Sequence, residues 1–263
     1  EASDLQGAAA PGDSGGPAFI ETNEGVFVAG VGYATDDTNA DAHVDGAIRQ
    51  LLRLQSIALP ADTVVFGEAL LQRDAGLFEE WYLRRHLGIE LDCDDVERLQ
   101  LVQRRLMDNA LAQARVPTHR DYMPRNLMPV ADGPAVLDLQ DMVIGPIAYD
   151  AVSLLRDAFL SWPEDRVVGW LRRYHARADE AGLPVPDMAS FLRDADWLGV
   201  QRHLKILGIF ARLHHRDGKS RYIADAPRFI AYLDAIVPKH PELAPLGDLL
   251  ERMIKPAIER LQA

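Results

Sequence analysis

His119-Arg120-Asp121-Tyr122-Met123-Pro124-Arg125-Asn126 runs directly into Leu127-Met128-Pro129-Val130-Ala131-Asp132-Gly133-Pro134-Ala135-Val136-Leu137-Asp138, and the reading of this stretch decides the fold. Asp132-Gly133 is a strong tight-turn signal between two apolar runs, so 127–130 and 135–138 are expected to pair as an antiparallel hairpin. Asn126 then begins one strand and Asp138 ends the other. Pairing brings those ends together and makes an amide oxygen and a carboxylate converge, a donor set suited to Mg²⁺. Asp121, five residues before Asn126, projects from the loop beside them.

Phosphoryl transfer requires this combination: metal ions that bridge nucleotide phosphates, and a carboxylate that orients the attacking hydroxyl and takes its proton. A His-Arg-Asp triplet alone is a weak signal. Loop, turn and second Asp in the right order with short spacing are a much stronger one, and point to a kinase-type site. His119 and Arg120 are assigned mainly to holding the loop. Asp141 and Asp150 either reach the metal or tie the loop to the following helix, and the structural role is preferred for both.

Outward from this stretch the chain reads as helix. Ile48, Leu51, Leu52 and Leu54, then Leu70 to Tyr82, then Val96 to Leu106, follow helical spacing. Further helices are expected near 150–160, 165–181, 188–198, 201–215, 227–236 and 246–261, with one short β segment around 116–138. The N-terminal end differs. Pro17-Ala18-Phe19-Ile20 and Gly25 to Val31, separated by Thr22-Asn23-Glu24, read as a β-hairpin, and the change of pattern falls near 35–45. The expected fold class is α+β, with residues 1–40 as a small β segment and 41–263 as a mainly helical lobe carrying a catalytic β-hairpin.

The 263 residues suffice for a sizeable core, and 48% hydrophobic with 26% charged residues is ordinary for a globular chain. The formal charge of −12 argues against nucleic-acid or anionic-membrane partners, since phosphate neutralisation needs clustered Lys and Arg. No apolar run approaches a membrane span, and the first residues lack a signal peptide's pattern. Cys93, the single cysteine, rules out an internal disulfide and fits a reducing cytoplasm. No protein partner is inferred.

The sequence resembles the aminoglycoside-phosphotransferase-like kinases, which share the protein-kinase catalytic core. The loop from His119 to Met128, together with Gly145-Pro146-Ile147-Ala148-Tyr149-Asp150, Ser161-Trp162-Pro163-Glu164 and Gln201-Arg202-His203-Leu204-Lys205, is most similar to the branch that phosphorylates N-acetylated amino sugars at C1. The likeness runs from about Asp41 to about Ala235. It implies Asp121 as catalytic base, Asn126 and Asp138 as Mg²⁺ ligands, ATP as phosphoryl donor, and an amino sugar such as N-acetylmuramate or N-acetylglucosamine as acceptor. It also implies that 41–263 is the family's C-terminal lobe. Glu80, Trp162, Arg202 and His203 are candidates for the acceptor pocket, with structural roles preferred. A kinase for a cationic acceptor such as an aminoglycoside or choline, or a sugar-binding lobe without turnover, are the alternatives.

Residues 1–48 contain nine acids and no Lys or Arg, and the first lysine is Lys205. A nucleotide-covering lobe with a phosphate-pairing basic residue is therefore not legible ahead of the helical half, and weak nucleotide binding is expected. Gly12-Asp13-Ser14-Gly15-Gly16-Pro17 resembles instead the nucleophile loop of trypsin-like serine proteases. No histidine precedes Ser14 and nothing places His43 against it, so a Gly-rich turn is the preferred reading over a working nucleophile. A natural fusion and an assembly artefact would look alike in sequence.

Overall fold

The computed structural model describes residues 18–22, 25–29, 40–130 and 133–262. In chain order these form β1 (Ala18–Thr22), β2 (Gly25–Ala29), α1 (Ala40–Gln55), α2 (Glu68–Leu77), α3 (Cys93–Ala112), β3 (Arg115–Thr118), β4 (Leu127–Met128), β5 (Ala135–Val136) and β6 (Val143–Pro146). Then follow α4 (Tyr149–Leu155), α5 (Glu164–Glu180), α6 (Met188–Asp217), α7 (Ala226–Ile236), α8 (Ala244–Leu249) and α9 (Lys255–Gln262). Phe78–His86 and Leu250–Ile254 are π-helical, continuing α2 and joining α8 to α9. Among the described residues no helix is long and apolar enough to cross a membrane. The Gly12–Pro17 loop, and Asp132 of the expected hairpin turn, lie outside the described residues.

Two compact units are formed. The first combines the described residues of Glu1–Val64 with Arg115–Asp157 and Trp162–Val185. Val44, Ala47, Ile48 and Leu51 recur at helical spacing on α1 and are buried. Arg173 and Arg177 of α5 reach Asp45 at 2.8 and 3.2 Å and hold α5 to α1. β3 pairs antiparallel with β6, Arg115 opposite Pro146 and Thr118 opposite Val143. β6 lies beyond the β segment expected at 116–138, because four residues carry too little alternation to read as a strand without their partner.

The hairpin is present but shorter than expected: only Leu127↔Val136 and Met128↔Ala135 pair. Pro129 and Pro134 stand at the next positions and have no N–H to donate, which ends the ladder. α4 stops at Leu155 rather than near 160, and Arg156, fully buried, turns to pair with Glu164 at 2.9 Å. β1 and β2 form the expected N-terminal hairpin, Ala18 opposite Ala29 and Thr22 opposite Gly25, and β2 runs beside the turn Pro124–Asn126.

The second unit comprises Val65–Ala114, Ala158–Ser161 and Pro186–Ala263. Its core gathers Phe78, Val102, Leu207, Phe229 and Leu233, all fully buried. The two helices expected at 188–198 and 201–215 are one 30-residue helix, α6. The signals that delimit it stand only at its ends. Asp187 caps the start by accepting from the Ala189 and Ser190 amides, and Gly218, with φ of 67°, closes it in the left-handed region. Between them Phe191, Ala195, Leu198, Leu204, Leu207 and Ala211 keep one face buried. Interior Gly199 costs only about 1 kcal/mol relative to Ala, too little to break such a helix. Gly208 permits close packing: a Cβ there would lie 2.4 Å from the Leu77 backbone, so α6 approaches the end of α2 only with glycine at this position.

Candidate active site

The loop that follows β3 is held by a buried carboxylate. Asp150, in the first turn of α4 and fully buried, accepts hydrogen bonds from the successive backbone amides of His119 (2.7 Å) and Arg120 (3.0 Å). Those two bonds offset the left-handed backbone of Arg120, whose φ of 75° is costly for a bulky residue. Asp150 thus ties the loop to the following helix, the role preferred from sequence. Tyr122, also fully buried, donates its hydroxyl to the carbonyl of Ala47 at 2.8 Å and anchors the loop to α1.

The loop is also fastened to the hairpin. Nε2 of His119 faces the carbonyl of Leu137 at 2.7 Å, so that nitrogen carries the proton and donates it. The amide of Leu137 donates to the carbonyl of Asn126 at 2.9 Å, which adds a contact beyond Leu127↔Val136. Both peptide groups of Leu137 are therefore engaged, one with the loop and one with the start of β4. Asp138, the next residue, is exposed and adopts φ of 69°. Its Oδ1 accepts from Nε2 of Gln140.

Asp121 is half-buried. Its carbonyl accepts from the Met123 amide at 2.9 Å and from Nδ2 of Asn126 at 2.8 Å. With Nδ2 so committed, Oδ1 is the atom that Asn126 offers to a ligand. The backbone places Asn126 across from Leu137, the residue before Asp138. An amide oxygen and an exposed carboxylate are hard oxygen donors, the kind that Mg²⁺ takes.

Asp141 is exposed at the end of the short 3₁₀ turn Leu139–Asp141. Trp162 packs edge-on against Trp170 with ring centroids 5.3 Å apart, and the Arg166 guanidinium lies over both rings. In the second unit, Glu80 is exposed, 3.6 Å from Arg85. Arg202 and His203 are buried in α6, where the His203 ring stacks on Tyr232 at 4.6 Å. His43 is half-buried on α1.

Sequence reasoning did not single out two features of the second unit. One is the buried Asp74, 3.2 Å from Lys205. The other is the group His86, His214 and His215. Burial first, then the neighbouring His215 and His214, push the pKa of His86 down to about 4. The adjacent histidines 214 and 215 were the available signal for this group. Its third member lies about 130 positions away in sequence, so only the fold assembles it.

Residues 25–191 match the model of the phosphotransferase enzyme family. A relative from Pseudomonas putida, the N-acetylmuramate/N-acetylglucosamine kinase, is 48% identical over 216 residues, covering 82% of this chain and 64% of its own. Its namesake from Pseudomonas aeruginosa is 49% identical over 213 residues, covering 81% and 63%. The chain therefore spans a little under two thirds of the length of these relatives. Among solved structures, Plasmodium vivax ethanolamine kinase superposes with a TM-score of 0.55 at 14% identity, covering 82% of this chain and 66% of that one. The gentamicin complex of aminoglycoside phosphotransferase APH(2")-IIa gives 0.51 at 14% identity, with coverage of 81% and 73%. At such identities the likeness shows the kinase-like fold and no more.

Proposed function

We propose, since this chain belongs to the phosphotransferase enzyme family, that it carries the catalytic loop of an ATP-dependent kinase for the anomeric hydroxyl of N-acetylmuramate or N-acetylglucosamine. The observation that supports the chemistry is the fastening of the Asp121 loop to the residue before Asp138 through His119 and Asn126. The acceptor class comes from the relatives, whose shared name goes with 48–49% identity over four fifths of this chain.

In this reading Asp121 orients the C1 hydroxyl of the sugar and takes its proton as the oxygen accepts the phosphoryl group. Asn126, through Oδ1, and Asp138, through its carboxylate, would hold Mg²⁺, which would neutralise charge on the nucleotide phosphates. His119, Tyr122 and Asp150 position the loop without touching substrate. The acidic stretch 1–48 supplies no basic side chain to a triphosphate.

Acceptor profiling with Mg-ATP tests it. Sugar 1-phosphate from N-acetylmuramate or N-acetylglucosamine, with no transfer to aminoglycosides or choline, is the expected outcome. Transfer to the cationic acceptors alone would overturn the assignment.

A further inference from the structure

We propose that His86, His214 and His215 form a Zn²⁺-binding site in the second unit, separate in chemistry from the oxygen donors of the catalytic loop. One ring nitrogen from each residue lies within 4.8 Å of the other two. Nδ1 of His86 and Nε2 of His215 stand 3.2 Å apart. Zinc–imidazole bonds are about 2.0–2.1 Å long, so two nitrogens at a tetrahedral angle stand about 3.3 Å apart. The observed spacing is thus already close to that of two ligands on one ion. Nδ1 of His214 is engaged by Oγ of Ser220 at 2.9 Å, which orients the ring and leaves Nε2 as its second nitrogen. Such a hydrogen bond on the distal nitrogen is the usual support of a metal-binding histidine.

The fold brings the three rings together by two backbone features. His86 ends the π-helical segment Phe78–His86, and widened helical turns of this kind are frequent at functional sites. The close approach at Gly208 holds that segment against α6, whose last turn carries His214 and His215. A cation there also meets the negative end of a 30-residue helix dipole. Three imidazoles without a carboxylate select Zn²⁺ or a neighbouring transition metal over Mg²⁺ or Ca²⁺. The exposed edge at His215 leaves the fourth position to water.

The test uses the full chain stripped of metal. Zn²⁺ is titrated by calorimetry, and Co²⁺ by the visible absorption of a tetrahedral complex. One equivalent is expected to bind, with an intense tetrahedral Co²⁺ band that excess Mg²⁺ does not displace. Because losing even a supporting residue of a metal site typically costs about 10–100-fold in affinity, His214→Gln and His215→Gln are each expected to weaken binding at least that much. Circular dichroism checks that both variants fold, and the exposed His215 is the safer of the two. Absence of saturable Zn²⁺ binding in the parent chain, or unchanged affinity in a folded His215→Gln variant, overturns the proposal. Neither readout involves kinase activity, so failure here leaves the catalytic reading untouched.

Discussion

Asp150→Ala removes the carboxylate on which the loop depends and leaves two amides, the buried one of His119 and the part-buried one of Arg120, without their acceptor. Each orphaned buried donor costs about 1–3 kcal/mol, giving a gross loss of about 2–6 kcal/mol. Relaxation of the left-handed Arg120 returns about 1–2 kcal/mol of that, and the shortened side chain adds a small cavity term of opposite sign. The net expectation is a destabilisation of about 3 kcal/mol. Urea denaturation followed by circular dichroism measures it as a lower midpoint at unchanged slope. Phosphoryl transfer is expected to fall about 100-fold under conditions where the variant remains folded, because displacing a catalytic group by about 1 Å costs that much. A variant with the parent's midpoint and turnover would refute the argument that Asp150 holds the loop.

Asp121→Asn is expected to reduce phosphoryl transfer by a factor of about 10²–10⁴ with little change in the urea midpoint, since a positioned base is lost and the partly buried side chain keeps its shape. Asp138→Ala is expected to lower activity and to raise the Mg²⁺ concentration needed for half-maximal rate, measured by titrating Mg²⁺ at fixed ATP. Burial alone would raise the pKa of Asp45, but hydrogen bonds and charge from Arg173 and Arg177 outweigh it and hold the carboxyl below its ordinary 3.8. A depressed carboxylate adds stability above its unfolded pKa that is lost as pH falls through the folded value. Asp45→Asn is therefore expected to be less stable by about 1 kcal/mol at pH 7, with the difference shrinking below about pH 4 in parallel denaturation curves.

Local sequence determined the elements whose signals are themselves local. Asp132-Gly133 between apolar runs specified a hairpin, and period-3.6 apolar spacing specified the helices, because turn chemistry and amphipathic faces are written within a few residues. The order Asp121, Asn126, Asp138 was legible for the same reason. The tertiary structure decided what depends on partners distant in the chain. β6 exists because β3 lies beside it, and α6 runs unbroken because its apolar face stays buried past Gly199. Asp150 serves the loop because both of its oxygens meet amides about 30 residues back in the chain. Leu137, the residue before Asp138, is fixed because its amide and its carbonyl are each claimed by a different segment. Hydrogen bonds of that kind have no periodicity to read: a single donor and a single acceptor leave no pattern in sequence, and only the folded backbone brings them within 3 Å.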